Sequence, residues 1–189
     1  MTGAATGAAT GVDPRRVGLF LALGLGLGAV AGVLWWLVTD LPTFRVVTGG
    51  GAVTSERGLA GYIAADAWFT VCGAVVGLVL GLLAWHWFGR TGWPVVLVTV
   101  VAGAAAGLIC WLVGYQLGPG AFDVRLAAAK PGDLVPVELT VRARPALLVW
   151  PLFAVIPVLL GTSLGRDPEV DGEIEGPELA DEPEERVSG

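Results

Sequence analysis

The chain has 189 residues, of which 54% are hydrophobic and 15% charged, and its mean hydropathy is +0.73. That balance excludes an ordinary soluble domain and describes an integral membrane protein. The formal charge of −6 is unevenly placed, because residues 166–189 hold ten acidic against two basic side chains (−8) and the preceding residues hold seven against nine (+2); with no basic tract, the composition argues against a nucleic-acid partner.

Residues 1–16 are rich in Ala, Gly and Thr and are expected to be a disordered cytoplasmic segment ending in Asp13-Pro14 and Arg15-Arg16. The apolar run 17–39 that follows is long enough to cross a hydrocarbon core, which takes about 20 helical residues. Ala29-Val30-Ala31 imitates a signal-peptidase site, but the run continues through Trp35-Trp36, a pair suited to a membrane interface, and is read as a retained first span. Gly24, Gly28 and Gly32 stand four apart, a small-residue stripe on which another helix can pack closely.

Residues 40–66 are polar and read as an extracytoplasmic loop. Short β segments are expected near residues 44–48 and 52–54, around the triple glycine 49–51, and a helical lead-in at 59–65. The glycines do not make a phosphate-binding loop, because the Lys and Ser/Thr of that motif are missing.

The second span, 67–88, and the third, 95–117, form a helical hairpin about the cytoplasmic bend 89–94. Gly73, Gly77 and Gly81 on one arm and Gly103 and Gly107 on the other repeat the spacing of the first span, so both arms are expected to pack through glycine. Aromatic groups at Trp68-Phe69 and Trp85-His86-Trp87-Phe88 are placed for the two interfaces, and His86, the single histidine, reads as an anchor there. Cys72 and Cys110 fall within the hairpin as small packing residues. A pairing between them is left open, and without a neighbouring histidine or carboxylate they offer no metal site.

Residues 118–145 alternate Val135, Val137, Leu139 and Val141 with polar partners, a period of two that predicts a half-buried strand. Val124, Leu126 and Ala128 alternate before it, and Lys130-Pro131-Gly132-Asp133 fits a type II turn, so an extracytoplasmic β-hairpin is expected. The fourth span, 146–164, contains Pro151 in its first turn and Pro157 in its interior, where a kink is expected. Residues 165–189 form an acidic, proline-broken tail that is expected to be disordered and cytoplasmic.

The predicted fold class is an all-α membrane protein: a four-transmembrane-helix bundle with a small extracytoplasmic β lobe built from the two long loops. Arg15-Arg16 before the first span place both termini in the cytoplasm of a cell with an inner, cytoplasmic membrane. With this order of elements, residues 111–119 (WLVGYQLGP), 145–151 (PALLVWP) and 165–169 (GRDPE) resemble a family of small four-helix membrane proteins of high-GC Gram-positive bacteria, classed as a domain of unknown function. The likeness covers roughly residues 17–169. It implies this topology and carries no activity.

No residue set names a reaction: no catalytic, cofactor-binding or metal-binding residue is identified, and no cofactor is expected. Asp123, Asp133 and Glu138 read as solvated carboxylates of the hairpin. The expectation is a non-catalytic accessory or scaffold component of the bacterial cell envelope. Its partners would be membrane lipid and another membrane or envelope protein, met through the β lobe or the acidic tail, and a homo-oligomer is compatible with the glycine stripes. The alternative is a transporter or channel component, or a lipid-handling protein, for which Thr70, Thr99, Thr162 and Ser163 are the polar groups within the spans.

Overall fold

The computed structural model describes residues 13–48, 52–53, 56–89 and 91–164. Their elements in order are α1 (Pro14–Val38), β1 (Thr43–Val46), β2 (Ala52–Val53), α2 (Glu56–Phe88), α3 (Pro94–Leu117), α4 (Phe122–Ala128), β3 (Leu134–Pro136) and α5 (Ala146–Leu164). Four helices, α1, α2, α3 and α5, are long and apolar enough to cross a membrane, and the protein is a multi-pass membrane protein. The acidic tail, most of the amino-terminal segment, the triple glycine and Arg90 lie outside the described residues.

Local chemistry explains where the spans begin and stop. Asp13 accepts the Arg15 N–H at 3.0 Å and Pro14 occupies the first turn, so α1 opens with a side-chain cap and a preset backbone. It closes at Thr39, whose backbone is extended and whose hydroxyl donates to Trp35 O at 2.7 Å. Between α2 and α3, the Thr91 N–H donates to Phe88 O at 2.8 Å and Gly92 takes a φ of +81°, a value suited to glycine, before Pro94 starts the next helix.

Helix α2 is longer than the expected span because the helical lead-in expected at 59–65 is continuous with it. It starts at Glu56 and runs 33 residues, about 50 Å at 1.5 Å per residue, well beyond a hydrocarbon core of about 30 Å. The 40–66 connection therefore ends in the expected lead-in helix, which begins three residues earlier than read, at Glu56. Good helix formers at Leu59, Ala60, Ala64 and Ala65 support that extension.

The packing order is not the chain order. Helix α1 lies chiefly on α3 and α2 chiefly on α5, while α3 and α5 also share an extensive contact; the sequential pairs α1–α2 and α2–α3 touch less. The predicted central hairpin exists as a connection, but its arms do not turn their glycines on each other. Helix α5 lies against both and meets both stripes.

At the end of the bundle where α1 finishes and α5 begins, the two long connections meet in a three-stranded antiparallel sheet of order β2-β1-β3. Register pairs Arg45 with Val53 on one side and with Leu134 on the other. The expected β-hairpin within 118–145 is corrected. Its first half is helix α4, and β3 pairs with β1 of the earlier loop. The reason is visible in burial: Phe122, Arg125 and Leu126, spaced three and four apart, turn inward, whereas Val124 is 71% exposed. The type II turn forms as read, with Asp133 N–H donating to Lys130 O at 3.0 Å and Gly132 at φ +100°, but it joins α4 to β3. The period of two also holds in burial, since Val135, Val137 and Leu139 are buried; regular pairing stops at Pro136 and the chain then runs extended across the bundle end.

The aromatic pairs are not simple interface belts. Trp35 is fully buried, donates from Nε1 to Ala65 O at 2.8 Å, and meets Phe69 edge-on at 5.1 Å, while its neighbour Trp36 is exposed. A helix rotates about 100° per residue, so adjacent aromatics leave it in different directions. In the same way Phe69 and Phe88 are buried, whereas Trp68 and His86 face outward.

Candidate functional site

A slot between α2 and α3 receives Trp150 of α5 and is walled by four glycines. Trp150 is fully buried. A methyl built on Gly73 would lie 2.5 Å from Trp150 Nε1 and 2.6 Å from Cδ1, and one built on Gly107 would lie 2.9 Å from Cγ. One turn further, methyls on Gly77 and Gly103 would meet the Trp150 carbonyl oxygen at 2.7 Å and 3.1 Å. Glycine thus walls the slot on both sides, because any side chain there would occupy the space of the indole or of the α5 backbone. Phe69 closes it, with ring centroids 5.4 Å apart, and links it to Trp35. The indole N–H has no hydrogen-bond partner among the described residues, so packing rather than polarity fixes the ring.

The other glycines singled out from the sequence have distinct neighbours. Gly81 lies under the Ala154 carbonyl and 2.8 Å, for a built methyl, from Pro157 Cδ. Pro157 is buried at that contact inside α5, which continues through it to Leu164. On the far side of α3, Gly24, Gly28 and Gly32 approach Ala102, Ala106 and Cys110 in turn. Three further contacts escaped the sequence reading: Gly114 against the Trp35 indole, Gly161 against that of Trp85, and Gly61 against Pro42. Gly114 is seven residues after Gly107, which continues the α3 stripe by two turns and was the available signal.

The polar groups within the spans are spent locally. Thr70, Thr99, Thr162 and Ser163 donate their hydroxyls to carbonyl oxygens three or four residues earlier on their own helices, at 2.7 to 2.9 Å. Cys72 and Cys110 are free thiols. No group of three or more His, Cys, Asp or Glu side chains able to hold a metal ion occurs among the described residues.

The carboxylates of the lobe serve separate structural ends. Asp123 is exposed on α4, and Asp133 Oδ2 accepts the Lys130 N–H across the turn at 2.8 Å. Glu138 is more than solvated: it accepts the Phe122 N–H at 3.1 Å at the start of α4 and lies 3.6 Å from Arg142. Asp66, which had no motif to announce it, fastens the lobe to the bundle. Its two oxygens accept the N–H groups of Arg142 and Ala143 at 3.1 Å and 2.8 Å, and the Arg142 guanidinium stacks 4.1 Å above the Tyr62 ring one turn earlier on α2. Phe44 of β1 and Phe122 of α4 pack at 5.4 Å and join the lobe's two halves.

What this arrangement can do chemically is hold a rigid bundle and seat a small polar lobe on one end of it. Comparison with protein-family models, with curated proteins and with solved structures finds no match, so the reading of function rests on these contacts.

Proposed function

We propose that the chain is a non-catalytic accessory or scaffold component of a bacterial cell envelope, seated in the cytoplasmic membrane with both termini inside and the lobe outside. The observation that carries this reading is the closed interior. Solute pathways expose polar or ionisable groups at membrane depth. Here the four hydroxyls available for that purpose bond to their own helices, and the bundle centre is filled by Trp150 against glycine. The lobe, held at Asp66, is the surface offered to a partner protein, and the acidic tail is a second contact for a basic one.

In-cell crosslinking, mild-detergent purification and mass spectrometry test the proposal, comparing the full chain with one ending at Arg166. A stoichiometric protein partner is the expected result, and its loss on truncation would place the contact at the tail. Recovery of the protein without a partner but with a reproducible solute would refute the accessory role in favour of transport.

A further inference from the structure

The seam between α1 and α2 is one of the two sparse ones in the bundle, and it holds two open clefts. At the end away from the lobe, a cleft of about 400 Å³ is lined by Arg16 and Leu19 of α1 and His86 and Trp87 of α2. Nearer the lobe, a second of about 260 Å³ is lined only by apolar side chains, from Ala31 to Val38 on α1 and from Trp68 to Val76 on α2. Both lie along one face of each helix. On α1 that face carries Leu19, Leu23, Val30 and Leu34, spaced four or seven apart and all exposed. On α2, Val75, Val79 and Leu82 lead by steps of three or four to His86.

The polar end of this seam has the chemistry of an anion site at headgroup level. The Arg16 side chain is 68% exposed and His86 is exposed, both where the apolar spans end, and Arg15 precedes Arg16 on α1. Trp87 is half-buried, its ring edge-on to Phe20 at 6.2 Å, so the indole wall of the cleft is fixed. Among the described residues the opposing charge is Asp13, whose carboxylate lies 3.8 Å from Arg16 Nε while it caps α1, and Arg15 and Arg16 together exceed it. Immediately below, the seam offers Leu19 and Leu23 to hydrocarbon. Half a hydrocarbon core is about 15 Å, or about ten helical residues, so a chain starting beside Leu19 ends near Ala29, short of the second cleft. Basic pockets between membrane helices suit anionic lipid headgroups.

We propose that the Arg16–His86 cleft binds one anionic phospholipid of the leaflet that meets the α1 N-terminus, its phosphate on Arg16 and His86 beside Trp87 and an acyl chain along the α1–α2 seam. The shared charge sets the class, and the apolar seam commits the occupant to a lipid.

The test uses the full chain in bilayer discs made from equal parts of phosphatidylglycerol and phosphatidylcholine with matched acyl chains, released into native mass spectrometry to count retained lipid. One retained phosphatidylglycerol per chain is expected. Retention should fall about fivefold for Arg16→Gln, since an arginine or lysine near the surface contributes about that factor; it should fall for His86→Gln as well, and Arg16→Lys should keep it. Asp13→Asn preserves the helix cap while removing the opposing charge, so it should raise retention. Arg144→Gln, at the other end of the bundle, serves as the control, and far-UV circular dichroism checks that each variant is folded. Equal retention of the two lipids, or a wild-type pattern in the folded Arg16→Gln/His86→Gln double variant, would overturn the proposal. So would retention seen only in a chain ending at residue 165, which would make the acidic tail the occupant.

Discussion

Three glycines on one face and its neighbour separate close packing from helix propensity within α1. A methyl built on Gly28 lies 2.8 Å from Ala106 Cα and 3.0 Å from the Ala106 carbonyl carbon, with Ala106 O nearer still. All of these are backbone atoms, so no side chain can swing aside. Restoring a carbon–carbon separation of about 3.5 to 4.0 Å requires α1 and α3 to part by about 0.7 to 1.2 Å, a gap that forfeits a quarter to a half of each remaining contact along the seam. Overpacking of this kind costs about 1–3 kcal/mol, against a gain of about 1 kcal/mol from replacing glycine by alanine in a helix. Gly28→Ala should therefore destabilise by up to about 2 kcal/mol, a factor of about thirty in the folded-to-unfolded ratio. At Gly24 the same methyl meets Ala102 O at 3.4 Å and Ala102 Cβ at 3.6 Å, ordinary contacts, and at Gly26 it meets nothing within 4 Å. Gly24→Ala and Gly26→Ala should each gain up to about 1 kcal/mol. Unfolding by sodium dodecyl sulfate from mild-detergent micelles, followed by circular dichroism, measures the series. Equal shifts at Gly24 and Gly28, or a more stable Gly28→Ala, would refute the claim that backbone contact fixes the α1–α3 distance.

Replacing Trp150 by Ala should destabilise by about 3–5 kcal/mol in the same assay, the usual cost of emptying a large buried aromatic site, and an unchanged midpoint would mean the slot collapses freely. Asp66→Ala removes the acceptor of two N–H groups, so hydrogen exchange at Arg142 and Ala143 should accelerate and stability fall by about 1–2 kcal/mol. Protection persisting at both amides would show that the lobe is held by something else. Gly132→Val forces a β-branched residue to φ +100° and should cost about 1–2 kcal/mol, read as faster limited proteolysis between α4 and β3, with no change in cleavage counting against the turn.

The four spans were legible because an apolar run of membrane length is hard to mistake for anything else, and their observed ends fall close to the predicted ones except at the start of α2. Glycine spacing announced close approach at Gly28, Gly73 and Gly103 but could not name the partner, since a stripe of small residues fits any backbone of complementary shape. The partner of Gly73 and Gly107 is a tryptophan 77 and 43 positions later in the chain, a separation no local pattern encodes. Val124, Leu126 and Ala128 misled because three alternating apolar residues are equally a fragment of helix, and here the inward-facing Phe122, Arg125 and Leu126 decided it. A lone carboxylate such as Asp66 has no signature; its role exists only once the chain returns 76 residues later.

The slot for Trp150 also ties the packing of the second and third spans to a helix that comes after both. Its walls come from the second and third spans and its occupant from the last described one. The last described span is therefore the key of the bundle, since its indole is what joins the glycine faces of α2 and α3.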